Sequence, residues 1–291
     1  MSNDKSIFVI SDLHMGDGSA RDNFGYEDSA KPAELTKFLD YVQIEKGELI
    51  IVGDLFEFWQ ASLSKVIMKN ISLLERFADM GATYVLGNHD VDLKDFIGKN
   101  MLIHPFFKNM REHFTRNIGD KKFKFMHGHE VDDFNKGDAP GWGRMLAIFA
   151  GIFEERNNSP MLPDGQSVEE ELSKFGECVL DLWNWLVNKL KKSVSGGDSP
   201  RPKNELTPAQ NKTRAEEMLK MYATDREAEG YDIAIVGHTH IPGRAESGWY
   251  FNTGSWATSG NNFVRIEPDG SVDVFNWESG KPVPNTEVLC D

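Results

Sequence analysis

The chain has 291 residues, 40% hydrophobic and 11% aromatic, with a formal net charge of -14. That is enough apolar material for a sizeable core in one large domain or two small ones. The acidic balance argues against adhesion to nucleic acid or to anionic lipid, both of which favour basic surfaces.

After Met1-Ser2-Asn3-Asp4-Lys5 the apolar run Ile7-Phe8-Val9-Ile10 predicts a strand directly, so no signal peptide is expected. A helix is predicted from Pro32 to about Lys46, with Leu35, Phe38, Leu39 and Val42 on one face. Leu49 to Val52 predicts a second strand. Leu63 to Met80 predicts one helix, with Ile67, Ile71, Leu74 and Phe77 on a stripe that ends at Gly81. Thr83 to Leu86 predicts a third strand. Strand, helix, strand at this spacing implies parallel crossovers.

Phe123 to Met126 predicts a further strand, and then the pattern changes. Helices are predicted over Trp142–Arg156, Val168–Lys192 and Thr207–Glu229, with a flexible Ser/Gly/Pro loop from Ser193 to Pro200. We therefore expect a single domain over 1–291 with a helical insertion over 131–230. Strands return at Ile233–Val236, Trp249–Asn252, Phe263–Ile266 and Val272–Phe275, the last two joined by a Pro268-Asp269-Gly270 turn.

The longest apolar stretch, Leu146 to Phe153, is too short to span a bilayer. This leaves only contact with a membrane from one side. Cys178 and Cys290 lie far apart and suggest no disulfide framework, which fits a reducing, cytoplasmic setting.

Five polar motifs sit at the ends of predicted strands. They are Asp12-Leu13-His14, Gly53-Asp54, Gly87-Asn88-His89-Asp90, His127-Gly128-His129 and Gly237-His238-Thr239-His240. Carboxyl ends of strands are where α/β sheets place their sites. Five clusters of oxygen and imidazole donors, each launched from a strand, are hard to explain as packing. Glycines beside the ligands permit sharp turns and close approach.

This set and its order resemble the calcineurin-like metallophosphoesterase family over residues 6–130 and 231–265. The resemblance implies an α/β sandwich of mixed sheets flanked by helices. It implies that Asp12, His14, Asp54 and His240 hold one divalent cation, and that Asp54, Asn88, His127 and His238 hold another. Asp54 is then the bridge. Oxygen and nitrogen donors without thiolate suit manganese, iron, zinc or cobalt without selecting among them; manganese is the first expectation. Two such cations about 3.5–4 Å apart supply a bridging hydroxide that attacks phosphorus. His89 is the expected proton donor to the leaving group, with Asp90 holding its imidazole. His129 is placed in the site without a defined role. His104 and His113 are read as ordinary polar groups.

The stretch Gly53-Asp54-Leu55-Phe56-Glu57-Phe58-Trp59 resembles the UDP-2,3-diacylglucosamine pyrophosphatases, which also carry a helical lid after the fourth motif. This chain departs in having His89 where the best-known branch has arginine. A small-molecule phosphodiester or pyrophosphate, nucleotide- or lipid-linked, is the expected substrate. In the loop after the first ligands, Arg21 and Asn23 are the candidates to hold a second phosphate. A nuclease of the same superfamily is disfavoured by the charge. A protein phosphatase is disfavoured by Phe56, Glu57 and Phe58 in the second motif. A non-catalytic scaffold should have lost ligands, and every expected one is present.

Overall fold

The apolar runs of the sequence form strands whose side chains are buried on both faces. The structure, a computed structural model, describes residues 5–19, 22–26, 29–99, 104–131, 208–257 and 260–289, with the backbone alone for 208–217. The first sheet contains β1 (Ile7–Ile10), β2 (Glu48–Val52), β3 (Thr83–Val85), β4 (Met110–Arg111), β10 (Asn262–Ile266), β11 (Val272–Glu278) and β12 (Lys281–Pro284). Its order is β12-β11-β10-β1-β2-β3-β4. β1 to β4 run parallel, as the strand–helix–strand spacing predicts, and β10 pairs antiparallel with β1.

The second sheet contains β5 (Phe114–Ile118), β6 (Lys121–Phe125), β7 (Ile233–Val236), β8 (Gly243–Ala245), β9 (Tyr250–Asn252) and β13 (Val288–Leu289). Its order is β13-β8-β9-β7-β6-β5.

Three apolar layers follow from the alternation of side chains along the strands. Between the sheets lie Ile7, Val9, Ile50, Val52 and Val85 against Phe123, Phe125, Ile233, Ile235 and Phe251. Phe8, Ile10, Leu49, Ile51 and Tyr84 face the other way. They meet α1 (Lys31–Ile44) through Leu35, Phe38, Leu39 and Val42, and α3 (Ile71–Asp79) through Leu74 and Phe77. On the outer face of the second sheet, Met126, Ala234, Val236 and Tyr250 meet Met218, Leu219 and Tyr222 of α4 (Pro208–Glu229). The buried Lys124 of β6 ties α4 down, with Nζ 2.7 Å from Asp225 and 2.8 Å from Glu229. Helix, sheet, sheet, helix is the expected sandwich of mixed sheets.

One expectation needs correction. Leu63 to Met80 is two helices, α2 (Leu63–Lys69) and α3, broken at Asn70. The cause is a side chain that competes with the helix. Asn70 Nδ2 donates to the carbonyl of Val66 and to that of Gly16, each at 2.8 Å. The break thus fastens these helices to the loop that follows the first ligand motif.

The third predicted helix of the insertion is present as α4. The other two, with Cys178, Cys290 and Arg21, lie outside the described residues. Among the described residues no helix is long and apolar enough to cross a membrane.

Candidate metal centre

Motifs one, two and three leave β1, β2 and β3 of the first sheet. Motifs four and five leave β6 and β7 of the second. All five therefore meet over the same carboxyl end of the paired sheets. The backbone there is unusual. Asp12, His14, Asp54, His238 and His240 all have positive φ, between 48° and 69°. Only Lys46 and Ser279 share this among the other described non-glycine residues. Such conformations cost about 1–3 kcal/mol each and persist where the surroundings enforce them. The turns let each chain leave its strand and point its donor sideways into one space.

The glycines act in two ways. Gly53 has φ 92°, and a Cβ there would lie 2.2 Å from the His127 ring. Gly87 has an ordinary φ. Its need is room, because a Cβ would stand 2.1 Å from Asp54 Oδ1.

The seven expected ligand residues come together in two groups. Asp12, His14 and His240 form one, and Asp54, His127 and His238 form the other, each with donor atoms within 4.8 Å of one another. Asn88 joins the second group, with Oδ1 3.1 Å from His127 Nε2. Asp54 stands between them. Its Oδ1 accepts the His89 backbone N–H at 2.8 Å. Its Oδ2 lies 3.2 Å from His127 Nε2 and 3.6 Å from His14 Nε2. One carboxylate oxygen therefore faces both groups.

Hydrogen bonds fix which atoms face inward. His127 Nδ1 lies 2.9 Å from the Val52 carbonyl, which accepts its proton and leaves the Nε2 lone pair for the centre. Asp12 Oδ2 accepts from the Ser11 hydroxyl and from the His238 N–H. Asp12 Oδ1, fully buried, accepts no hydrogen bond and lies 3.0 Å from His240 Nε2. An unsatisfied buried carboxylate oxygen facing imidazole nitrogens fits a divalent cation. So does the whole donor set of carboxylate, amide oxygen and imidazole.

Motif three differs from expectation at Asp90. Asp90 does not hold His89. It is fully buried, and its two oxygens accept the backbone N–H groups of Gly87 at 2.6 Å, Leu55 at 2.8 Å and Phe56 at 3.2 Å. It ties the third motif to the second. The partner of His89 is Glu57, whose Oε2 lies 2.7 Å from His89 Nδ1 and 3.2 Å from His14 Nδ1. Trp59 completes the arrangement. Its ring stacks on His89 at 3.6 Å between centroids, and its Nε1 donates to the Asn88 carbonyl at 3.0 Å. The roles of Glu57 and Trp59 were missed. They stand three and five positions after Asp54, inside the stretch that carries the closer family resemblance.

The charges answer one another. Burial pushes Asp12 up, but the imidazoles of His240 and His127 outweigh it and hold the carboxyl well below its usual range. Asp54 is likewise held low against burial by His127 and His89. Glu57, despite burial, is brought down to about 2 by His89 and His14. Burial pulls His127 down, yet the Asp54 and Asp12 carboxylates raise it to about 10. Burial and the Asp54 carboxylate push Asp90 up to about 6. The cluster favours ionised carboxylates and demands positive charge beside them.

Of the other candidates, His129 is buried with its ring 5.5 Å from that of His127, in none of the ligand groups among the described residues. Asn23 is exposed on its turn. Asp22 beside it is buried and organises that turn by accepting the N–H groups of Gly18, Phe24 and Gly25. His104 accepts the Phe106 N–H, and His113 is exposed.

No curated protein matches the chain. Solved structures match it along nearly its whole length. Vacuolar protein sorting 29 from Cryptosporidium parvum is 14% identical, covers 97% of this chain and 95% of its own, and gives a TM-score of 0.41. A conserved uncharacterized protein from Streptococcus pneumoniae TIGR4, a predicted phosphoesterase, is also 14% identical, covers 97% and 98%, and gives 0.34. The sequence profile of the calcineurin-like phosphoesterases matches residues 5–242, from before β1 to just past His240. With all five motifs inside that match, the chain belongs to the calcineurin-like phosphoesterase family.

Proposed function

We infer that this chain is a two-metal phosphoesterase that hydrolyses a phosphodiester or pyrophosphate bond in a nucleotide- or lipid-linked small molecule. Asp12, His14, Asp54 and His240 hold one cation. Asp54, Asn88, His127 and His238 hold the other. Manganese is the first choice for both. The observation that carries this reading is Asp54 Oδ2, a single oxygen set between two donor groups. When bound, the cations activate water and take up charge on the phosphoryl oxygens.

The remaining steps fall to the protein. His89 is more open than His14 and Asp54 beside it, with its side chain 16% exposed against 8% and 2%. Its Nδ1 is engaged by Glu57, so Nε2 is the atom able to donate a proton to the leaving oxygen. Glu57 fixes the orientation of that imidazole through Nδ1. The same carboxylate fixes His14 through Nδ1, which keeps His14 Nε2 turned to the centre. Trp59 holds the plane of the His89 ring and the Asn88 peptide at once.

The test is an activity panel of mono-, di- and pyrophosphate esters with manganese, including UDP-2,3-diacylglucosamine. Metal-dependent turnover of a diester or pyrophosphate supports the reading. No turnover of any ester with any divalent cation contradicts it.

A further inference from the structure

A groove of about 320 Å³ lies against the candidate metal centre. His240 is the wall they share: it lines the groove, and its Nε2 is 3.0 Å from Asp12 Oδ1. The rest of the lining is rich in asparagine, with Asn261, Asn262, Asn276 and Asn285, and it includes Glu278. Such a volume is that of a small-ligand site.

The wall is preorganised. Asn262 and Asn276 are direct partners across β10 and β11. Asn276 Oδ1 accepts from Asn262 Nδ2 and from Asn285 Nδ2, both at 2.9 Å. Asn285 Oδ1 accepts the Glu287 N–H at 2.8 Å. These amides are fixed by one another. Asn261 Oδ1 is taken by Lys31 Nζ at 2.8 Å, so Asn261 offers its amide N–H groups. Asn276 Nδ2 makes a long 3.4 Å bond to Glu278 Oε1. The groove thus presents amide donors beside a carboxylate acceptor.

Its charge narrows the ligand further. Among the described residues neither lysine nor arginine lines it, the nearby Lys31 ammonium being engaged by the Gly260 carbonyl and Asn261 Oδ1, and apart from His240 the only ionisable lining side chain is Glu278. A second phosphate would seek guanidinium or ammonium and would be repelled by Glu278. A hydroxyl both donates and accepts, and so matches an amide next to a carboxylate.

We propose that this groove binds the uncharged, hydroxyl-bearing sugar ring of the phosphoester substrate, with Asn261 and Glu278 as its specificity residues. The proposal rests on the phosphoesterase reading for its substrate, though the groove's taste for sugar is separable from turnover.

The test uses the full chain with manganese and two esters that share a nitrophenyl leaving group: bis(nitrophenyl) phosphate and the nitrophenyl ester of a uridine monophosphate. Glu278→Gln and Asn261→Ala should each raise KM for the uridine ester about tenfold, the size of one lost hydrogen bond to a charged or polar group. Both variants should leave the sugar-free ester unchanged. Saturation-transfer NMR on the metal-free chain reads the groove without catalysis. Transfer to uridine, to methyl glucoside or to both should be seen, and should weaken in Glu278→Gln. Which sugar responds tells ribose from hexose. Equal KM shifts on both esters, or no transfer to either sugar, overturns the proposal. If neither ester is turned over while sugar transfer persists and depends on Glu278, the groove stands and the phosphoesterase reading falls.

Discussion

Glu57 Oε2 lies 2.7 Å from Nδ1 of His89, and the same oxygen lies 3.2 Å from Nδ1 of His14. One carboxylate therefore orients both a candidate metal ligand and the candidate proton donor. Glu57→Ala should lower kcat by roughly 10–100-fold, the usual effect of losing a group that orients a ligand. Because Glu57 acts through His89, Glu57→Ala and His89→Ala should be strongly non-additive in a double-mutant cycle. Fully additive losses would separate the two residues.

His89→Ala should keep the bound metal and lose rate, most of all for substrates with poor leaving groups. General acid help is typically worth about 10²–10⁴-fold. The check is kcat for nitrophenyl against alkyl esters of the same phosphate. Equal losses on both would remove the acid role.

Asp90 is expected to behave differently from His89. Its buried carboxylate satisfies three backbone N–H groups. Asp90→Ala strands those donors and should destabilise the fold by roughly 3 kcal/mol, about one for each amide. Urea unfolding measures this. Any activity that survives should show the parent's order of preference among leaving groups, since His89 keeps Glu57.

The difference between Asp90 and Glu57 shows where the sequence stops being legible. The strands, the parallel crossovers and the five donor clusters were readable, because buried parallel strands leave long apolar runs and the donors follow directly after them. Asp90 follows His89 in the chain, and adjacency suggested the pairing. The turn after β3 instead sends Asp90 back beneath the loop after β2, and Glu57 arrives at His89 from that loop. Asn70 is a second case. Its side-chain bond to Gly16, which fastens the break, spans 54 positions and leaves no trace in local periodicity. β4, β5, β8 and β12 carry arginine, lysine or proline in place of an apolar run, and β13 has only two residues, so none leaves a strand pattern.

Metal loading should release protons. Against the pull of burial, the neighbouring carboxylates hold His14 well above its ordinary value and raise His127 to about 10, which favours the protonated form of each. A cation needs their neutral lone pairs, so apparent metal affinity should weaken as pH falls. Calorimetric titration with manganese, in two buffers of different ionisation enthalpy, should give different apparent heats. Identical heats would mean that no protons leave.

Everything in the proposed chemistry depends on Asp54 joining two cation sites. Elemental analysis of the purified full chain, equilibrated with manganese and freed of loose ions, tests it most directly, alongside Asp54→Asn. Two metal ions per unaltered chain are expected, with a clear loss of metal and of turnover in Asp54→Asn. A variant that keeps two ions and full activity would contradict it.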